Sequence, residues 1–518
     1  MTTTNNSQSF AETINAGYDF KTPSIILGGS VLGGNVQPEV HVKVPLSMMN
    51  RHGLVAGATG TGKTKTIQKL CESLSDNGVP VMILDIKGDI SGISQAGTTN
   101  PKIEDRHKML NIPWEAQAYP VEFLTISAQN GVKMRATVSE FGPVLFSKML
   151  ELNDTQSSVM SMVFKYCDDN ALPLLDLGDL KAVLQYMISD EGKAELVGDY
   201  GGISTSTVGI MMRKVIELEQ QGAESFFGER SFEVMDLVRT NSEGKGYVNI
   251  MRVNDIQSQP KLFSTFMLSL LSEIYSTFPE EGDVTKPKLC IFIDEAHLIF
   301  DEASKALLDQ IEMIIKLIRS KGIGVYFITQ NPIDIPQNIL AQLGIKIQHA
   351  LRAFTANDRK AIKQASQNYP ETQFYAVDEL ITSLGIGEAI VTVLDERGNP
   401  TPLVHTMILA PQSRMDTISD GELSSIVSNS SLAFKYNENI DRESAKELLT
   451  KKIEDAAKQG VFGNNQGQTQ NSNSNTKQEP SIIENITKNT MVRQIGRAVT
   501  SEITRGVLGM LGLGRRRR

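Results

Sequence analysis

Residues 57–64 read Gly57-Ala58-Thr59-Gly60-Thr61-Gly62-Lys63-Thr64, and the spacing G-x-x-x-x-G-K-[ST] is that of a loop that wraps phosphate. The glycines leave the backbone free to curl, so that successive N–H groups turn inward on a β-phosphate. Lys63 supplies a point charge for the β- and γ-phosphates, and the Thr64 hydroxyl is placed to hold Mg²⁺. All eight residues are therefore candidate nucleotide-binding positions. The flanks agree: Gly53-Leu54-Val55-Ala56 suits a short buried strand, and Ile67, Leu70, Cys71 and Leu74 recur at helical spacing. Strand, glycine-rich loop and helix N-terminus together make an anion site. A glycine-rich turn that merely preceded a lysine would lack these flanks.

Downstream, Leu289-Cys290-Ile291-Phe292-Ile293 is an apolar run that ends in Asp294-Glu295, the Walker B pattern. Asp294 is expected to hold Mg²⁺ directly or through water, and Glu295 to orient and polarise the attacking water. A third apolar run, 323–329, ends in Gln330-Asn331-Pro332. Parallel strands present such ends on one edge, where Gln330 is expected to sense the γ-phosphate or the attacking water; the alternative is an amide that caps a turn. Phosphoryl transfer also needs an arginine, in cis or from a neighbouring subunit. The candidates are Arg319, just before the third run, and Arg352, after the following strand; each could equally serve a structural ion pair. Asp85, Lys87 and Asp89 follow another strand end in Leu84-Asp85-Ile86-Lys87-Gly88-Asp89. Asp85 reads there as a structural carboxylate or as a supporting partner of the site.

Strand-like runs at 54–57, 80–85, 121–125, 246–251, 288–294, 323–329, 345–351 and 388–394 alternate with helical periodicity. This predicts an α/β fold with a mainly parallel sheet, its last strand opening a hairpin that returns over 403–409. The expected organisation starts with a loose N-terminus, 1–22, and a small β-element, 23–52, in which short strands over 24–27 and 40–44 are joined by the glycine-rich stretch Gly28 to Gly34. The nucleotide-binding core follows in two parts, 53–136 and 237–410, around an all-helical insertion, 137–236. A helical extension, 411–459, a low-complexity linker, 460–490, and a basic amphipathic tail, 491–518, complete the chain.

The chain has 518 residues, 40% hydrophobic and 21% charged, with a net charge of −9. The tail carries seven arginines against Glu502 alone, so the remainder is strongly acidic. Such a body is a poor general binder of polyanions, and nucleic-acid contact needs a local basic lining or the tail. Three scattered cysteines, Cys71, Cys167 and Cys290, have no metal-ligand spacing and suit a reducing cytosol. No signal peptide and no membrane span is expected, and the localisation expected is cytoplasmic, with peripheral contact to the inner face of the membrane open through the tail.

The motifs at 57–64, 84–89 and 294–298, with Arg319-Ser320-Lys321-Gly322, Thr329-Gln330-Asn331-Pro332 and the stretch 348–355, resemble the HerA/FtsK branch of RecA-like P-loop ATPases. The likeness is nearer still to HerA-like helicases of the bacterial YjgR type. It runs from about residue 24 to the C-terminus and is weakest in the linker. The resemblance implies an ATP- and Mg²⁺-dependent motor, a homo-oligomeric ring, hexameric in that branch, that translocates duplex DNA. Lys63, Asp294, Glu295 and Gln330 match its nucleotide-site positions, and an arginine such as Arg319 or Arg352 acts across a subunit boundary. Ile345-Lys346 stands where that branch has Asn-Arg. A rival class is a non-translocating NTP-dependent switch or scaffold, docked to a membrane or partner protein through residues 491–518.

Overall fold

A computed structural model describes residues 2–256, 259–282, 284–300, 305–438, 440 and 442–463. Most of the linker (460–490) and the whole basic segment 491–518 lie outside the described residues. Two compact units are present: Met1–Lys133 with Glu233–Asn437, and Met134–Phe232 with the described residues that follow Asn437.

The first unit is built on twelve strands: β1 (Ser24–Leu32), β2 (Asn35–Pro45), β3 (Gly53–Ala56), β4 (Val81–Asp85), β5 (Val121–Thr125), β6 (Val132–Lys133), β7 (Val248–Arg252), β8 (Leu289–Ile293), β9 (Ile323–Thr329), β10 (Ile345–Gln348), β11 (Glu388–Thr392) and β12 (Val404–Ile408). They form one sheet in the order β2-β1-β12-β11-β10-β3-β9-β8-β4-β7-β5-β6. From β10 to β6 every pairing is parallel, and from β10 outward to β2 every pairing is antiparallel. This is the RecA-like α/β arrangement, with β3 flanked by β9 and β10. The central strands are covered on both faces: β3, β4, β8 and β9 are buried throughout and apolar up to the Asp85 that ends β4 and the Thr329 that ends β9. Phe292 of β8 and Tyr326 of β9 stack with centroids 4.6 Å apart, and the Tyr326 hydroxyl donates to the Met49 carbonyl at 2.7 Å.

Two expectations at the N-terminus need correction. Residues 2–17 are not loose but form a helix, α1 (Thr2–Gly17). Phe10 and Ile14 stand one helical turn apart, and Tyr18 follows the helix at the same spacing; all three are buried. Each such burial contributes roughly 1.5–3 kcal/mol, which offsets the ordering of a polar helix that would be marginal alone. Phe10 meets the Phe374 ring edge-on at 5.1 Å, and Tyr18 donates to Pro402 O at 3.0 Å. The second correction concerns Gly28 to Gly34, expected as a connection between two short strands. Instead β1 continues to Leu32, only Gly33 and Gly34 turn, and Gly28 to Ser30 pair with Thr406 to Ile408 of β12. The N-terminal β-element is thereby continuous with the main sheet.

The first unit also contains the helices α2 (Lys63–Asp76) and α3 (Pro101–Leu110). The buried face of α2 carries Ile67, Leu70, Cys71 and Leu74. The second unit is helical: α4 (Val138–Met149), α5 (Asp154–Asp169), α6 (Leu177–Met187), α7 (Asp190–Asp199) and α8 (Thr205–Gln220), with a last helix over Ala445–Gly463. Thr137/Glu140, Asn153/Gln156 and Asp176/Asp179 close capping boxes at α4, α5 and α6. Phe141, Phe146, Phe226 and Phe227 pack as an aromatic cluster inside it. Among the described residues, no helix is long and apolar enough to cross a membrane.

Candidate nucleotide site

The loop 57–62 leaves the C-terminal end of β3 and is tied to the strands on either side. Gly57 N–H donates to Thr329 O at 3.3 Å, and Ala58 N–H donates to Ala350 O at 2.8 Å. The Thr61 hydroxyl donates to Ala58 O at 2.7 Å and tightens the curl. Glycine is required at two positions. A Cβ on Gly57 would lie 2.5 Å from the Cβ of His349, and Gly62, with φ 109°, forms the N-cap of α2 in backbone contact with Gly387. The Lys63 ammonium is folded back into the loop, donating to Gly57 O at 2.6 Å and Ala58 O at 3.1 Å. Burial and the charge of Lys87 hold Lys63 below the usual lysine range, while Glu295, Asp294 and Asp89 pull the other way.

β8 ends on the same edge, between β9 and β4. Asp294 follows, its N–H donating to Leu84 O at 3.3 Å. Glu295 adopts φ 44°, a left-handed backbone that costs a residue with a Cβ about 1–3 kcal/mol and is found at functional turns. Its Oε1 is in a salt bridge with Lys87 and accepts from Gln330 Nε2 at 3.4 Å. Its Oε2 lies 3.3 Å from His297 Nδ1 without hydrogen-bond geometry. Burial raises the pKa of Glu295, but Lys87, His297 and Gln330 together bring it below the ordinary glutamate value. Neighbouring carboxyls behave oppositely. Burial, with Glu295 and Asp89 nearby, pushes Asp294 up to about 6 against the pull of Lys87. Burial and Asp89 push Asp85 up to about 7, although Gly88 and Ile90 donate N–H groups to it.

The Thr64 hydroxyl donates to Asp89 Oδ2 at 3.2 Å. Thr64, Asp294 and Asp89 thus offer hydroxyl and carboxylate oxygens, the donor set of a hard cation. Among the described residues no group of three His, Cys, Asp or Glu side chains could hold a metal alone. Mg²⁺ fits this pattern because it takes one or two carboxylates and completes its shell with phosphate oxygens and water.

Lys63, Thr64, Asp294, Glu295 and Gln330 therefore share one sheet edge. Arg352 follows β10 on that edge and is exposed. Arg319 is also exposed but precedes the N-terminal end of β9. The seven residues of β9 put it roughly 20 Å from the phosphate loop of its own chain. The residues that motif reading left without a role are Lys87, Asp89 and His349. Lys87 and Asp89 sit just past a strand end, and that position was their visible signal. His349, buried with its Nε2 2.9 Å from Thr66 Oγ1, had none.

A sequence profile of the family described as Helicase HerA-like C-terminal matches residues 32–518. The DNA double-strand break repair helicase HerA of Sulfolobus acidocaldarius is 21% identical over 374 residues, 70% of this chain and 66% of that protein. The protein of the same name from Saccharolobus solfataricus is 23% identical over 371 residues, 70% of this chain and 65% of its own length. The chain thus spans just under two thirds of these relatives. Among solved structures, the bacterial conjugative coupling protein TrwBdeltaN70 in its unbound monoclinic form is 16% identical with a TM-score of 0.49, covering 79% of this chain and 94% of that one.

Proposed function

The chain belongs to the Helicase HerA-like C-terminal family, and on that footing we propose that it is a Mg²⁺-dependent ATP hydrolase that assembles into a ring, in the hexameric form, and moves along duplex DNA. One observation carries the reading: a phosphate loop, a buried acid pair and an amide converge on the edge where β3, β8 and β9 end. The loop's N–H groups and the N-terminus of α2 hold the phosphates, and Lys63 leaves its loop carbonyls for the β- and γ-oxygens. Thr64 and Asp294, with Asp89 alongside, would hold Mg²⁺, which when bound draws negative charge from the phosphoryl oxygens. Glu295, kept ionised by Lys87, accepts a proton from the attacking water, and Gln330 orients that water. The DNA helicase names of the relatives favour duplex DNA as the track.

The deciding experiment is ATP turnover with and without duplex DNA, paired with a solution mass in the presence of nucleotide. Stimulation by DNA together with a multimeric mass supports the motor. Turnover indifferent to DNA, with vesicle binding lost on deleting 491–518, supports the switch or scaffold instead.

A further inference from the structure

The turn Gly385–Glu388, which leads into β11, is held against the phosphate loop from several directions. Gly387 N–H donates to Thr61 O at 2.9 Å. Arg106, on α3, donates from Nη1 to Gly387 O at 3.1 Å and to Ile408 O at 2.8 Å, and from Nη2 to Ile386 O at 2.9 Å. The Glu388 carboxylate accepts Gly385 N–H at 2.8 Å and pairs with His405 Nε2 at 3.0 Å. Two of the four residues have no side chain and Glu388 is engaged. What the turn presents outward is Ile386, 73% exposed.

A single exposed isoleucine is ordinary, but this one tops a rigid turn next to the phosphate loop. Topology says which part of a nucleotide it faces. Glu295 and Gln330 follow β8 and β9, on one flank of β3, whereas the turn enters β11, beyond β10 on the other flank. A triphosphate whose terminal phosphoryl points at Glu295 must send its nucleoside the opposite way. We propose that the Gly385–Glu388 turn is the platform for the nucleobase of the bound triphosphate, with Ile386 meeting the flat face of the base and Arg106 positioning the turn. The inference rests on the nucleotide-binding function proposed for this site and adds a subsite to it. Arg106 already occupies the carbonyls of Ile386 and Gly387, so the platform grips the base through apolar contact.

Calorimetric titration of the full chain with ATP, and separately with inorganic tripolyphosphate, both with Mg²⁺, separates base from phosphates. Ile386→Ser, a neutral change at an exposed position, is expected to weaken ATP roughly five- to tenfold, from the apolar area lost, and to leave tripolyphosphate within about twofold. Ile386→Met is expected to retain ATP affinity. Arg106→Lys, which keeps the charge but not the three-carbonyl fork, should lower the ratio of ATP to tripolyphosphate affinity at least about threefold. Unchanged ATP affinity in Ile386→Ser, or equal losses for both ligands, would overturn the platform. Lys63→Ala tests the underlying reading separately: it should lose both ligands, and if it loses neither, the phosphate site itself is wrong whatever Ile386 does.

Discussion

The Lys87 ammonium, from the loop after β4, is paired with the Glu295 carboxylate at the end of β8, and Gln330 donates to the same carboxylate oxygen. Glu295 is nearly buried and Lys87 about one-third exposed, so the pair opposes the upward pull of burial and helps hold the carboxyl below the ordinary glutamate value. Breaking it leaves a desolvated carboxylate with weaker neighbours.

Lys87→Ala is therefore expected to cut ATP turnover about ten- to hundredfold, equivalent to roughly 1.4–2.7 kcal/mol in the barrier. Nucleotide affinity should change little, because Lys63 and the loop carry the phosphates. Steady-state kinetics beside a direct binding titration separate the two effects. Wild-type turnover would reduce the pair to a structural contact.

Glu295→Gln and Lys63→Ala should fail in different ways. Without the carboxylate that takes the water's proton, Glu295→Gln is expected to bind ATP but hydrolyse it at least about a hundredfold more slowly. Lys63→Ala should lose affinity, by more than about tenfold, because a charge-assisted contact to the phosphates is gone. Single-turnover hydrolysis and equilibrium binding on both variants decide this, and identical losses in the two would contradict the division of labour.

Arg319 cannot reach the nucleotide of its own chain, because β9 separates them; only a neighbouring subunit could receive it. Arg319→Ala and Glu295→Gln are each expected to be inactive alone and to regain part of their activity when mixed, since one class of interface then has an intact arginine and an intact acid. No recovery at any mixing ratio, with Arg352→Ala inactive, would shift the role to Arg352 on the site's own edge.

His52 and His349 tie stability to pH. Burial lowers both from 6.5 to about 4, the backbone contact with Ile315 partly opposing this for His52. Between those values the unfolded chain takes up a proton that the native state refuses. Stability is thus complete above pH 6.5 and is lost as pH falls toward 4. Each histidine is expected to cost roughly 2 kcal/mol between pH 7 and pH 5. Denaturant midpoints at the two pH values measure the loss, and His349→Gln should flatten the slope by its own share. A slope unaltered by the substitution would mean that His349 is not held neutral. Because His349 contacts Thr66 on α2 and packs on Gly57, this acid sensitivity should also appear in nucleotide affinity.

What could be read from the sequence alone is what local chemistry dictates. Gly57 to Thr64 curl because glycines permit positive φ and because a strand and a helix flank them; the runs 289–293 and 323–328, ahead of Asp294 and Gln330, are apolar because both sheet faces are covered. Helical spacing marked α2 in the same way. In α1 the spacing of Phe10, Ile14 and Tyr18 was also present, but the polarity of the surrounding residues outweighed it. The tertiary structure decided everything that depends on pairing across long stretches of chain. No local pattern says that β1 joins β12, that Lys87 closes on Glu295 more than two hundred residues away, or that Arg106 pins the Ile386 turn. Strand order also placed Arg319 and Gln330, only eleven residues apart, at opposite edges of the sheet, since a parallel strand separates its two ends by its whole length.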